Sequence, residues 1–249
     1  MHQRKSKNLQ LRKNLILPHN SKKITIMKRR YFLKTGSIII LGLITASQTK
    51  AAPFIIKAIE FKNEFKERII AIISELKKEG SNLVKKIMDG RKYEYDPYTH
   101  YPIDGGIKDE ITGYQLFFHI HRENEYGHFH TFATDENGEL VHLILISMSE
   151  EGKPIGLATV NRWVTGDKYV KADVLKTLST KFYIDPALFK DRRVVEFVNH
   201  IFRAYKEEII KLYDERVKWI KNYVNNNYRE PFEDREYEIL SERKINLFS

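Results

Sequence analysis

Apolar residues recur at helical spacing in the segment 54–77. The stripe consists of Ile55, Ile59, Ile69, Ile73 and Leu76. Lysine and glutamate recur between them, so the pattern predicts an amphipathic helix that buries one side. A second, shorter helix is predicted over Ser81–Met88, because the turn-forming pair Asp89-Gly90 follows it.

Two longer helical patterns occur in the second half of the chain. The first is predicted over 167–182, and Asp185-Pro186 then forms a capping pair for the next helical segment. A single long helix is predicted over 192–225. Its apolar stripe comprises Val194, Val198, Ile201, Phe202, Tyr205, Ile209, Leu212, Val217, Ile220 and Val224. Residues 227–249 are rich in charge, and we expect them to form a loosely attached C-terminal tail.

Between these helices, four segments have the composition of β-strands. They are 114–122, 128–134, 140–147 and 155–161. Asn137-Gly138 is the strongest hairpin signal, and the other turns are short, which predicts an antiparallel meander. The tyrosine-rich residues 91–113 are expected to be irregular. Together the elements predict an α+β fold: a four-stranded antiparallel meander with N-terminal helices and long C-terminal helices packed on one face.

The chain also carries a pattern typical of protein export. Met27 is followed by Arg29-Arg30-Tyr31-Phe32-Leu33-Lys34, then by an apolar run over 38–44 and small residues over 46–52. This order resembles a twin-arginine signal peptide, so residues 27–52 are predicted to engage the twin-arginine export machinery. The apolar run is shorter than the roughly 20 residues that a membrane-spanning helix needs. We expect a periplasmic or otherwise exported protein with no stable transmembrane span in its mature form.

Charge is distributed unevenly along the chain. Residues 1–52 contain 12 of the 43 lysines and arginines and none of the 33 aspartates and glutamates. The remainder is nearly neutral, so the formal net charge of +10 does not indicate a nucleic-acid partner. Residues 1–26 are predicted to be a disordered basic extension, with Met27 as an alternative start, and residues 53–226 a single α+β domain. The absence of cysteine excludes disulfides, thiolate metal sites and a cysteine nucleophile.

Histidines are concentrated on the first predicted hairpin. Five of the nine fall between positions 119 and 142. They include the pairs His119-Ile120-His121 and His128-Phe129-His130, whose members share a face of their strand. If two or four residues around 123–126 form the turn, all four imidazoles lie on one face, with His121 opposite His128 and His119 opposite His130. A register slip of one residue would separate the pairs. A two-residue turn at Asn137-Gly138 would pair His142 with Ala133, on the Phe129 face.

Four converging imidazoles could hold a divalent transition metal such as zinc, iron or copper. Three histidines with a water molecule would form an open catalytic site, and Glu123 or Glu125 could act as carboxylate ligand or base. Four histidines with no open position would be a structural or storage site. The leading hypothesis is an exported, metal-binding α+β protein, and whether its metal serves a hydrolase, an oxygen-handling enzyme or no reaction stays open. The alternative is a non-catalytic periplasmic module that binds a ligand or protein, and histidines with a purely structural role stay open beside both.

A second polar stretch, Asn161-Arg162-Trp163-Val164-Thr165-Gly166, follows the fourth predicted strand. Asn161 and Arg162 are candidate ligand-binding or supporting residues, whereas Thr165 or Asp167 is expected to cap the next helix. Together with Gly127-His128-Phe129-His130-Thr131-Phe132, this stretch resembles an uncharacterised bacterial family, a domain of unknown function. The resemblance covers roughly residues 60–225. It implies that the two stretches belong to one site or one core, and it implies no reaction.

Overall fold

The computed structural model describes residues 52–227 and 229–247, with the backbone alone described over 52–62. The predicted extension (1–26) and all but the last residue of the predicted signal peptide (27–52) lie outside these ranges. Within them, no helix combines the length and the apolar character needed to cross a lipid bilayer.

The described residues form six α-helices and seven β-strands. The helices are α1 (Ala52–Lys78), α2 (Leu83–Met88), α3 (Arg162–Thr165), α4 (Ala172–Lys181), α5 (Arg192–Ala204) and α6 (Lys206–Asn226). The strands are β1 (Asp96–Tyr101), β2 (Ile107–Asp109), β3 (Tyr114–Ile120), β4 (Gly127–Thr134), β5 (Leu140–Met148), β6 (Pro154–Val160) and β7 (Ile239–Lys244). Single 3-10 turns occur at Pro186–Leu188 and Pro231–Glu233.

All seven strands belong to one open antiparallel sheet in the order β1-β3-β4-β5-β6-β7, with β2 also paired to β3. The predicted α+β class is confirmed, and the four predicted strands are β3 to β6. The predicted strand count was wrong, because the sheet continues on both sides of the meander. β1 and β2 arise from 91–113, whose polar and tyrosine-rich composition carries no clear strand signal, because β1 buries only Tyr101 and β2 has just three residues.

The segment predicted as a loosely attached tail contributes the last strand. β7 pairs with β6, and Ser241 stands opposite Thr159. The Thr159 hydroxyl lies 2.6 Å from Ser241 Oγ, which in turn donates to the Leu212 carbonyl of α6 at 2.9 Å. β7 is therefore bound to both the sheet and a helix. Its charged residues gave no strand signal because an edge strand buries only Leu240 and Ser241.

The predicted helix over 192–225 is divided at Tyr205, whose backbone leaves the helical region at φ −114° and ψ 27°. The division allows the two apolar stripes to meet different partners. α5 packs against α1, where Arg68 donates to Glu196 at 2.7 Å. α6 packs against β7 and α4, the latter through a 2.6 Å hydrogen bond between Tyr213 and Ser179.

The central strands are buried on both faces. On one face, Phe118 and Phe129 pack against each other at 5.0 Å between ring centroids, and Phe129 also packs against Phe197 of α5. This helix-covered side contains the main core, and burial of its apolar surface is the dominant stabilising contribution. The opposite face carries a smaller apolar cluster around Leu145, against which Val164 of α3 packs. The same face carries the histidines.

Candidate metal centre

The two histidine pairs meet on one face of the sheet, the arrangement expected for a turn of two or four residues, although the connection is longer than either. β3 and β4 pair antiparallel, and His119 stands directly opposite His128. The connection between these strands, 121–126, has an even number of residues. Because side chains alternate between the faces of a strand, an even connection leaves both pairs on the same side.

The individual cross-strand partners differ from the predicted ones by two residues. The expected pairing placed His121 opposite His128, but β3 ends at Ile120, so His121 already belongs to the connection. The residue opposite His130 is Phe117. A displacement of two residues conserves the face of the strand, and the histidines therefore still converge.

One ring nitrogen from each of four histidines lies within 4.8 Å of the others. These residues, called the histidine cluster below, are His119, His121, His128 and His130. The first is 7% exposed, the last two are 0% and 1% exposed, and His121 is half-buried. His128 Nε2 lies 3.0 Å from His130 Nε2. Two nitrogens on one tetrahedral zinc ion are about 3.3 Å apart, so these rings could hold an ion after a small movement.

The residue before His128 is a glycine that allows β4 to pack closely on β3. Gly127 opens β4 with a φ of 149°, in the region that favours glycine. A β-carbon at this position would lie 2.4 Å from Phe118 Cζ and 2.7 Å from the His119 carbonyl oxygen. The close packing of β3 on β4 at the cluster therefore depends on glycine immediately before the histidine pair.

A buried carboxylate orients the ring of His128. Glu125 Oε1 is within hydrogen-bond distance of His128 Nδ1, and Glu125 Oε2 lies 3.3 Å from Arg122 Nη1. An ionised carboxylate accepts a hydrogen bond from Nδ1–H, which leaves the Nε2 lone pair directed at the cluster. Histidine ligands of metals commonly donate their second nitrogen to such a group. Of the two predicted carboxylates, Glu123 is exposed and Glu125 is the one beside the cluster.

His142 lies on the cluster's face, whereas a two-residue turn had predicted it on the Phe129 face. The turn has three residues, because Asp135 pairs with Glu139 through a 2.9 Å backbone hydrogen bond. The extra residue shifts the register, so His142 stands opposite Phe132 rather than Ala133. Its Nε2 lies 2.9 Å from the second ring nitrogen of His130, Nδ1. In both β4 histidines, Nε2 faces the cluster and Nδ1 has a hydrogen-bond partner, which is Glu125 for His128 and His142 for His130.

Burial keeps these imidazoles neutral. It lowers the pKa of His119 to about 2 and that of His142 to about 4. It also holds the pKa of His128 and His130 well below the ordinary value, and neighbouring histidines add to the effect. A neutral imidazole has the free lone pair that a metal requires. Burial raises the pKa of Glu125, against a hydrogen bond from Ser147 and the charge of Arg122.

His119 differs from its neighbours because both of its ring nitrogens are buried without a hydrogen-bond partner. Its ring stacks on His100 of β1, with 4.4 Å between centroids and an interplanar angle of 10°. A buried polar atom without a partner costs about 1–3 kcal/mol. Coordination of an ion by one of these nitrogens would remove part of that cost, whereas a purely structural histidine would retain it.

We expect Glu125→Gln to weaken metal binding by about 10- to 100-fold, the usual effect of losing such a supporting carboxylate. The amide keeps the shape and a hydrogen-bond acceptor but removes the negative charge beside His128. Competition for Zn²⁺ against a chromophoric chelator measures the change. Glu123→Gln, on the same connection but exposed, is the matched control. Equal affinities of the two variants would contradict the supporting role of Glu125.

The candidates Asn161 and Arg162 hold another part of the chain. The Asn161 side chain caps α3 and donates to the carbonyls of Pro231 and Tyr237 at 2.9 and 3.0 Å. Arg162 pairs with Glu233 at 2.6 Å. Both contacts attach the 229–238 segment to the end of β6. We therefore interpret these two residues as structural.

The two stretches that carried the family resemblance are linked in the structure through two residues that belong to neither, Asp167 and His142, the latter beside His130. Asp167, directly after the second stretch, accepts a hydrogen bond from the His142 backbone N–H at 2.9 Å. Thr165 donates to the same carboxylate. Asp167 thus holds β5 beside the cluster instead of capping α4, which begins at Ala172 without a side-chain cap.

Three further residues border the cluster, and the sequence pattern had not singled them out. His100 stacks on His119 from β1. Arg122 connects Glu125 to Glu238 of the C-terminal segment, the latter at 3.1 Å. The proximity of Arg122 to the histidine pair was the one local signal. His100 and Glu238 lie in segments predicted to be a loop and a tail, so no periodicity related them to the hairpin.

Residues 63–245 match the family model "Domain of unknown function (DUF6969)". No curated protein and no solved structure gives a significant match to the chain. The matched range contains β1 to β7, and it extends the resemblance noted in the sequence through the last strand. The chain therefore belongs to this family of domains of unknown function.

Proposed function

We propose that this protein is an exported metalloprotein that binds one divalent transition-metal ion through His119, His121, His128 and His130. The observation that carries the proposal is the convergence of four ring nitrogens within 4.8 Å on a buried face. Zinc, iron and copper are the ions whose ligand preferences suit an all-imidazole site. The function that this site supports best is metal-dependent catalysis.

The surroundings of the cluster support a metal over the two competing interpretations. Purely structural histidines would leave both nitrogens of His119 unsatisfied. A surface for a partner protein would need exposed rings, but His128 and His130 are almost completely buried. A metal site accounts for neutral rings, for their burial and for the carboxylate behind His128.

The export part of the proposal rests on the leader sequence. The arginine pair, aromatic residue, leucine and lysine at 29–34 occur in the order of a twin-arginine signal, before an apolar run. That route carries folded proteins, often with their cofactor inserted. A site built from two neighbouring strands and their connection closes only in the folded chain, so metal loading before export agrees with this route.

Elemental analysis of the full-length protein, purified without a histidine tag, tests the metal site. We expect about one transition-metal ion per chain, and its loss in the double variant His128→Ala plus His130→Ala. His200→Ala is the matched control, because this half-buried histidine packs against Phe65 on the helical side. Substoichiometric metal that the double variant leaves unchanged would refute the proposal.

A further inference from the structure

The members of the histidine cluster are not equivalent. His119, His128 and His130 belong to β3 and β4, in the centre of the sheet, and none is more than 7% exposed. His121 follows the end of β3, lies in the connection 121–126 and is half-buried. Three of the four rings are thus part of the rigid sheet, while the fourth is carried by a loop at the solvent side.

The support behind each ring follows the same division. Hydrogen bonds to Glu125 and His142 hold the two β4 histidines, as described above, and stacking on His100 holds His119. The His121 ring instead stands edge-on to its cluster neighbours, at 4.8 Å from the centroid of His128 and at an angle of 84°. The ring therefore lies against the cluster, while part of this half-buried side chain is exposed to solvent.

The carboxylates nearest the connection are already engaged. Arg122 lies 3.3 Å from Glu125 and 3.1 Å from Glu238. These ion pairs keep both carboxylates as partners of the arginine rather than as ligands. Every proposed ligand is consequently a neutral imidazole, so none of the four ligands itself carries a negative charge that would offset that of a bound dication. In a partly desolvated position, that charge attracts an anion more strongly than a neutral molecule.

We infer that His121 is an exchangeable ligand and that its place on the metal is taken by small anions that enter from the side of the 121–126 connection. The inference rests on the proposed metal site and deepens it. Three fixed histidines with one exchangeable position form the arrangement of catalytic rather than structural zinc sites. The class of ligand or substrate predicted for this position is a small anion that coordinates through one atom.

Azide titration of the cobalt-substituted full-length protein tests this exchange, because the visible absorption of Co²⁺ reports its coordination. We expect azide to change the spectrum of the wild-type protein. In His121→Ala we expect cobalt to be retained and azide to bind about tenfold more tightly, since no imidazole competes for the position. His119→Ala should lose most of the cobalt, and His200→Ala should behave as wild type. Circular dichroism establishes that each variant is folded.

Two results would overturn the inference while leaving the metal site intact. One is a spectrum that azide does not change in either the wild type or His121→Ala, with about one cobalt per chain. The other is a folded His121→Ala that loses as much cobalt as His119→Ala, which would make the four ligands equal. Failure of the wild-type protein to bind cobalt would instead refute the metal site and the exchange together.

Discussion

Saturating Zn²⁺ is expected to raise the free energy of unfolding of the wild-type protein by about 4 kcal/mol when the free ion is about a thousand times its Kd. The reason is that the four nitrogens converge only when β3 pairs with β4. The unfolded chain has separate histidines and binds the ion more weakly. Urea unfolding in the presence of EDTA and of Zn²⁺ measures the difference.

The double variant His128→Ala plus His130→Ala should show almost none of this increment, while His200→Ala should retain it. These two proteins separate binding at the cluster from non-specific binding to surface groups. An equal increment in all three proteins would mean that zinc acts elsewhere. No increment in the wild type would mean that the folded protein binds zinc no more tightly than the unfolded chain does.

The metal-free protein is expected to lose stability steeply as the pH falls below about 6.5. In the folded state burial lowers the pKa of His142 to about 4, that of His119 to about 2, and that of His128 and His130 well below the ordinary value. In the unfolded state all four titrate normally. As the pH falls, the unfolded chain therefore takes up protons that the folded protein does not. For each such histidine, the free energy of unfolding decreases by about 1.4 kcal/mol per pH unit.

Four histidines together give a slope of up to about 5 kcal/mol per pH unit just below pH 6, where they take up protons mainly in the unfolded chain. Total stabilities of about 5–15 kcal/mol are typical of single domains, so the metal-free protein should unfold within a few pH units. Urea unfolding at several pH values in EDTA measures the slope. The variant His128→Gln plus His130→Gln should have a slope lower by about 3 kcal/mol per pH unit. A wild-type stability that does not change between pH 6.5 and pH 4.5 would contradict the neutral, buried state of the cluster.

Much of the sheet was predictable because its central strands have a strong local signal. The predicted 140–147 and 155–161 differ from β5 and β6 by at most one residue at either end. The common face of the histidine pairs could be stated only as a condition, since it depends on the parity of a connection whose length the sequence pattern left open. An even or odd length of the connection does not determine which residues stand opposite each other. The observed partners differ from the expected ones by two residues because β3 ends at Ile120.

The residues that support the cluster were harder to predict. Their positions depend on the length of a turn and on contacts between distant segments. The three-residue turn after Asp135 brought His142 onto the cluster's face. Glu238 reaches Arg122 only because β7 pairs with β6. A charged edge strand has no apolar alternation, so the sequence pattern made this segment indistinguishable from a tail.

The structure also changes how the histidine pairs are interpreted. On the sequence alone, an open catalytic site of three histidines and a closed structural or storage site of four both stayed open. The different burial of His121 and of the three strand histidines favours an open site with one exchangeable position. The range 63–245 that matches the family of domains of unknown function contains all the strands that carry this site.

The most direct measurement is X-ray diffraction from zinc-containing crystals on both sides of the zinc absorption edge. The account predicts one anomalous peak, at about 2.0–2.1 Å from a ring nitrogen of each of His119, His128 and His130. His121 or a small anion should occupy the fourth position. A peak remote from these rings, or a cluster that keeps the hydrogen bond between His128 and His130 in the presence of zinc, would contradict it.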